Sequence, residues 1–166
     1  MVLDNVTTFS EIYTLFLSKI TDDMYLELNR ADTEKLLKEL LISALHWFEF
    51  PRVNIYDYSD MFERFNIELS AEEKNIIATY MIVEWLGQQL ASVENTRMKY
   101  SGSDFKFTSQ ANHMQKLQAM QTNFKATGFH LQRLYKRRAA ANGIMKSTMH
   151  TIMEPYDFAR WTRYNQ

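Results

Sequence analysis

The sequence predicts a mainly α-helical fold: a small helical bundle of about four helices with a long C-terminal helix, a short β-arm or hairpin, and an extended C-terminal arm. Only 4 glycines and 2 prolines occur among 166 residues, too few for the tight turns of an all-β fold. Two capping boxes mark helix starts, and apolar residues recur at helical spacing over long stretches. Residues 1–143 are therefore assigned to a helical domain and residues 144–166 to a C-terminal docking arm.

The first two helices are predicted from a cap and from a proline. Thr8 and Glu11 have the spacing of a capping box, so the first helix is expected over residues 9–19. The second helix is expected to begin at Asp32 or Thr33. It must end before Pro51, because the residue ahead of a proline is pushed out of the helical region. Its wide apolar face consists of Leu36, Leu37, Leu40, Leu41, Ala44, Leu45 and Phe48.

The third helix is the most strongly marked element of the chain. Residues 53–65, which precede it, carry aromatic side chains without clean periodicity. We interpret the residues near 52–55 as short extended structure. Ser70 and Glu73 then form the second capping box. The helix behind them is apolar on most sides. It is predicted to run to about Asn95 as the central helix of the core.

The last helix is predicted to follow a polar loop over residues 98–109. Within this loop, the alternation at residues 105–107 favours a short strand or β-arm. Thr108 or Ser109 is expected to cap the helix, and the helix should end near Gly143, since glycine commonly follows a helix C-terminus. Its apolar stripe steps by threes, fours and one seven through Met114, Leu117, Met120, Phe124, Leu131 and Leu134.

The segment after Gly143 loses the helical pattern but keeps its aromatic residues, with Pro155 in the middle. Disordered spacers are depleted in such residues, so an arm that docks onto a partner is favoured. The alternative is that the segment folds back on its own core. Aromatic and arginine side chains dominate many interfaces. The expected docking residues are Tyr156, Phe158, Arg160, Trp161, Arg163 and Tyr164.

Charge is divided unevenly along the chain. Residues 1–95 hold 17 Asp and Glu against 7 Lys and Arg, a net charge of −10, whereas residues 96–166 hold 3 against 12, a net charge of +9. Either the two halves complement each other within one chain, or the split serves an electrostatic partner. Basic residues cluster on the last helix at Arg133, Lys136, Arg137 and Arg138. This cluster either contacts a phosphate backbone or is a solvated helix end that matches the helix dipole.

No catalytic, cofactor or metal site is predicted. The chain has 0 cysteines, and its histidines, His46, His113, His130 and His150, show no metal-ligand spacing. There is no phosphate-binding glycine loop and no serine nucleophile elbow. No apolar run approaches the ~18 residues of a membrane span. The N-terminal residues lack the basic and apolar segments of a secretory signal, so the cytoplasm, or a particle assembled there, is the expected location.

Three stretches of the sequence resemble a known family. Residues 94–113 (ENTRMKYSGSDFKFTSQANH) lead into a long amphipathic helix that ends with residues 131–138 (LQRLYKRR), and residues 9–22 (FSEIYTLFLSKITD) open the chain. Together they resemble the head–tail connector proteins of tailed bacteriophages, also called adaptor, neck or head-completion proteins. The resemblance covers roughly residues 7–140.

This resemblance implies a viral structural protein without catalysis or cofactor. Such proteins are small helical bundles, and many identical copies, commonly twelve, form a ring below the portal protein. The ring extends the DNA channel and gives the next neck or tail protein a docking surface. The implied location is the virion neck, and the implied partners are further copies of the chain, the portal, the next neck or tail protein and genomic double-stranded DNA.

Two regions would then supply the contacts of the ring. Residues 144–166 would dock on the portal or a neighbour, and a second region would join subunits through Tyr100, Asp104, Phe105, Lys106 and Phe107. The basic residues of the last helix would face the DNA channel or a neighbouring copy. The alternative function is a helical nucleic-acid-binding or regulatory module that uses the basic end of that helix.

Overall fold

Four helices and one two-stranded antiparallel sheet form the part of the chain that the computed structural model describes, which is residues 6–20, 30–99 and 107–141. The predicted mainly helical fold class is therefore confirmed. The chain divides into two compact units, residues 1–132 and residues 133–166. The predicted boundary between residues 143 and 144 lies outside the described residues.

Helix α1, Phe9–Leu17, begins at the predicted cap and packs on the third helix of the chain. The backbone N–H of Thr8 donates to Glu11 Oε1 at 3.1 Å, which completes the capping box. Lys74 donates to Glu11 Oε2 at 2.8 Å, and this hydrogen bond, with those from Thr8, lowers the pKa of Glu11. The buried face of α1 consists of Phe9, Ile12, Tyr13 and Phe16.

Helix α2, Arg30–Leu45, starts two residues before the predicted Asp32 and ends ahead of Pro51 as expected. After the helix ends, backbone hydrogen bonds between residues three apart form turns, and in the last of them the N–H of Phe48 donates to the carbonyl of Leu45 at 3.2 Å. Helix α2 packs on the third helix. Its buried residues match most of the predicted face: Leu37, Leu40, Leu41, Ala44 and Leu45.

Strands β1, Tyr58–Ser59, and β2, Arg64–Phe65, form a hairpin with Tyr58 opposite Phe65. The extended structure expected near residues 52–55 is absent from these described residues, and that expectation was wrong. Asn54 forms a turn in place of a strand, because its side-chain oxygen accepts the N–H of Tyr56 and its backbone carbonyl accepts the N–H of Asp57. The extended segment before α1 borders β2, where Thr7 accepts the N–H of Phe65 at 2.8 Å.

Helix α3, Ala71–Lys99, is the central helix, as predicted, and extends four residues past Asn95. The hydroxyl of Ser70 accepts the N–H of Glu73 while Glu73 Oε2 accepts the N–H of Ser70 at 2.8 Å, so the second capping box is formed. Every residue from 76 to 83 is buried. Burial over two full turns requires neighbours on all sides of the helix.

Helix α4, Phe107–Ala141, is 35 residues long and corrects the prediction for residues 98–109. The first two residues of that loop belong to α3 and the last three to α4, so Thr108 and Ser109 lie inside the helix and do not cap it. Serine and threonine tolerate the first turn of a helix as well as the cap, so their presence does not fix its start. Phe107 is helical, while the rest of the predicted β-arm, Phe105 and Lys106, lies outside the described residues.

The buried line of α4 differs from the predicted apolar stripe. Leu117 is buried as expected, but Met120 is 45% exposed. Two residues that no apolar pattern selects, Gly128 and Gln132, are buried instead. The surface of α4 that faces inward is therefore narrow, and most side chains along residues 111–132 are exposed.

Candidate interaction surfaces

The structure does not describe most of the residues predicted to contact a partner. The docking-arm residues Tyr156, Phe158, Arg160, Trp161, Arg163 and Tyr164 lie outside the described ranges. The same holds for Tyr100, Asp104, Phe105 and Lys106 of the inter-subunit loop, whereas Phe107 is the first residue of α4. The roles assigned to these residues stay predictions.

The basic cluster does lie within the described residues. Arg133, Lys136, Arg137 and Arg138 all occupy the last turns of α4 in the second unit, and all four side chains are exposed. Residues three and four apart lie on one side of a helix, which places Arg133, Lys136 and Arg137 together. Tyr135, in the same turns, is only 2% exposed. The end of α4 thus presents cations outward while an aromatic ring is buried.

Helix α4 contains no aspartate and no glutamate along its 35 residues. Its charged residues are Lys116, Lys125, Arg133, Lys136, Arg137 and Arg138. The outward surface of the part in the first unit otherwise carries mainly amide, hydroxyl and small side chains, together with the exposed residues His113, Met120, Phe129 and His130. A shallow, open depression there is lined by Gln115, Gln118, Ala119, Thr122 and Asn123. An exposed helix without carboxylates suits a partner that carries negative charge.

Gln132 holds this helix against the rest of the first unit. Its side-chain amide is 3% exposed, donates to the carbonyl of Trp47 at 2.8 Å and to the hydroxyl of Tyr80, and accepts the N–H of Glu49 at 2.8 Å. A buried amide with three partners fixes the position of the helix, since leaving any partner unpaired costs free energy. A lone glutamine gives no sequence signal for this role.

Aromatic rings complete the junction around Gln132. Trp47 stacks on Tyr80 with ring centroids 6.0 Å apart, and its indole N–H donates to Glu84 Oε1 at 2.5 Å. The ammonium of Lys125 lies 4.3 Å from the centroid of the Trp47 ring, a cation–π contact. Burial raises the pKa of Tyr80; the hydrogen bond with Gln132 opposes that shift. This junction secures α4 by only a few residues, and the outward surface stays accessible.

The tip of the hairpin is the most exposed apolar feature of the described residues. Met61 is 85% exposed and Phe62 is 63% exposed. They lie between two acidic residues, Asp60 and Glu63, at the turn that joins β1 to β2. We call residues 60–63 the hairpin knob. Sequence reasoning missed it, although an apolar pair flanked by two carboxylates in a turn was its available signal.

No metal centre is evident among the described residues, where no group of three or more His, Asp or Glu side chains is placed to hold an ion. His46, His113 and His130 are exposed on helices or turns. Within the same ranges, no helix is long and apolar enough to cross a membrane.

Comparisons of the chain with family models, with curated proteins and with solved structures find no match.

Proposed function

We propose that this chain is a structural subunit of a bacteriophage neck, a head–tail connector that assembles into a ring of identical copies under the portal. The observation that carries the proposal is helix α4, which is long, mostly exposed and free of carboxylates. The family resemblance of residues 9–22, 94–113 and 131–138 supports it from the sequence. In this proposal the chain catalyses no reaction and needs no cofactor.

A ring requires heterologous contacts, in which one surface of a subunit binds a different surface of the next. The first 95 residues carry a net charge of −10 and the remainder +9, so unlike surfaces of two copies attract each other. The basic end of α4, at Arg133, Lys136 and Arg137, would face DNA in the channel or the carboxylates of a neighbour. The arm over residues 144–166 would dock on the portal or on an adjacent copy.

The test is assembly with the portal. Full-length chain mixed with purified portal should co-migrate as a stoichiometric ring complex in native mass spectrometry, with twelve copies the expected number. Mass spectrometry of purified virions should detect the chain, and electron cryo-microscopy should place it at the neck beside the DNA channel. A chain that stays monomeric with or without portal, and is missing from virions, would refute the proposal.

A second candidate function has one specific observation in its favour. Four exposed cations at the end of α4, without a carboxylate on the helix, also suit a helical module that binds nucleic acid as its main task. Such a module would bind duplex DNA in the absence of portal.

A further inference from the structure

The hairpin knob is held as an ordered projection. Glu63 has φ of 47°, the left-handed conformation that closes the turn. The N–H of Phe62 lies 3.4 Å from the hydroxyl oxygen of Ser59, to which it donates, and the guanidinium of Arg64 lies 5.2 Å from the centroid of the Phe62 ring. These contacts orient the ring of Phe62 even though 63% of the residue is exposed.

The base of the knob is tied to the folded core. Lys38 on α2 forms a salt bridge with Asp60 at 3.2 Å. Directly behind the knob, Phe65 is buried, and its ring packs edge-on against Phe9 of α1 with centroids 5.2 Å apart. A preorganised apolar projection binds with less loss of conformational freedom than a flexible loop does. Exposed side chains held this way are typical interface anchors.

A complementary surface exists on α4 of the same chain. Lys116 and Met120 are both exposed and lie one turn apart, so they share one side of the helix. This surface pairs an apolar side chain with a cation, whereas the knob pairs apolar side chains with Glu63. Helix α4 has no carboxylate that would repel the knob. The two surfaces are therefore complementary, because both present apolar side chains and their charges are opposite in sign.

We propose that the hairpin knob of one copy docks on the Lys116–Met120 surface of α4 in a second copy of this chain. Met61 and Phe62 contact Met120, and Glu63 lies against Lys116. Because the two surfaces differ, the contact is heterologous and propagates from copy to copy. The inference rests on the self-assembly in the proposed function and names the residues that perform it.

The test is a charge exchange measured by sedimentation equilibrium of the full-length chain. Glu63→Lys and Lys116→Glu should each raise the self-association Kd by about 3- to 10-fold, and the double variant should return it to within about 2-fold of the original value. Met61→Ser with Phe62→Ser, which removes the apolar anchors, should raise Kd by about 30-fold or more. Glu39→Lys, an exposed reversal on α2, is the matched control and should leave Kd unchanged.

Circular dichroism of each variant checks that the fold is intact before association is compared. A single reversal that has no effect, or a double variant that associates more weakly than either single variant, overturns the inference. So does a chain that stays monomeric alone at every concentration tested. If the knob variants still form rings with portal as the original chain does, the connector proposal stands and only this contact is wrong. If the original chain assembles in neither setting, both fail.

Discussion

At the scale of single residues, the attachment of α4 depends on side chains that an apolar pattern does not select. Gly128 lies where the helix backbone approaches the ring of Tyr80, and a Cβ at this position would lie 2.7 Å from Cζ of that ring. The ring cannot move aside easily, because it stacks on Trp47 and its hydroxyl accepts a hydrogen bond from Gln132. The glycine is thus required by close packing.

This packing predicts opposite outcomes for two glycine substitutions. Gly128→Ala should lower the free energy of unfolding by up to about 2 kcal/mol, because overpacking costs about 1–3 kcal/mol and the gain in helix propensity returns about 1 kcal/mol. At Gly87 on α3, an added Cβ meets only the amide nitrogen of Gln121, at 3.1 Å; this amide donates to the carbonyl of Val83 at 3.2 Å and needs to shift by only a few tenths of an ångström. Gly87→Ala should therefore be neutral or stabilising by up to about 1 kcal/mol.

Urea denaturation followed by circular dichroism measures both glycine variants under one condition. The difference in sign is the informative result, since helix propensity alone would stabilise both variants by similar amounts. Equal stabilisation by Gly128→Ala and Gly87→Ala would contradict the close approach of Tyr80 to α4.

Tyr13 predicts a pH dependence. Its hydroxyl is buried without a hydrogen-bond partner among the described residues, and burial, followed by the charges of Glu63 and Glu34, raises its pKa strongly. A raised folded pKa means that stability is fully present below the unfolded pKa of about 10 and is lost as the pH rises above it. Tyr13→Phe should therefore weaken the loss of stability above about pH 10.

Stability at pH 7 reports the packing of Tyr13 without its ionisation, and Tyr80→Phe serves as the comparison variant. At pH 7, Tyr13→Phe should leave the free energy of unfolding unchanged or raise it by about 1 kcal/mol, because an unsatisfied hydroxyl is removed. Tyr80→Phe should lower it by about 1 kcal/mol, because Gln132 loses a partner. Urea titrations at pH 7 and at several values above pH 10 give both quantities, and an unchanged alkaline slope for Tyr13→Phe would be inconsistent with its burial.

At the scale of elements, local signals were sufficient where they matched the tertiary structure. The capping boxes at Thr8 and Ser70 located α1 and α3, because the side chains that satisfy the first N–H groups are close in sequence. The start of α4 was missed, because Thr108 and Ser109 can lie inside a first turn as readily as at a cap. A short β-arm or hairpin was predicted, but not at residues 58–65, because two-residue strands are too short to show an alternating pattern.

The interaction surfaces show the same division. The basic cluster was visible because Arg133, Lys136 and Arg137 are close in sequence, and the helix places them together. The contacts that hold the hairpin knob and those of Gln132 were not visible, because they depend on partners tens of residues away, such as Lys38 and Trp47. A single sequence cannot select these pairs, since neither hydrophobicity nor spacing identifies them.

The C-terminal arm gives the prediction at this scale. Removing residues 148–166 should leave the helical circular dichroism signal and the unfolding midpoint nearly unchanged, because none of the residues removed belongs to helices α1 to α4. Docking to portal should be lost, because the truncation removes the aromatic anchors. The matched full-length control replaces Tyr156, Phe158 and Trp161 by serine and should lose docking alone. A truncated chain whose helicity falls to that of the unfolded chain would instead place the arm in the core.

At the scale of the whole molecule, charge distribution is the property that the sequence states most clearly. The near-zero net charge of −1 conceals a chain that is acidic up to residue 95 and basic after it. Helix α4 carries six of the twelve basic residues after residue 95 on one exposed element without carboxylates. Contacts built on such a surface weaken as ionic strength rises, because dissolved ions screen exposed charges from each other. At 0.1 M salt, the Debye length over which such charges interact is about 10 Å. Assembly and any DNA contact should therefore share a salt dependence.

Variants at the basic end of α4 distinguish a contact with DNA from a contact between copies of the chain. If this end contacts DNA, the full-length chain should bind a labelled duplex at low salt. Replacing Arg133, Lys136 and Arg137 by alanine should then make the plot of log K against log salt concentration less steep by about one for each phosphate contact removed. Fluorescence anisotropy over a salt series measures this slope, and Lys35→Ala, an exposed lysine on α2, is the control. If the original chain binds no duplex at low salt, the DNA contact is excluded. In that case, if the triple variant does not form the ring with portal although the original chain does, the cluster is assigned to a contact with a neighbour's carboxylates.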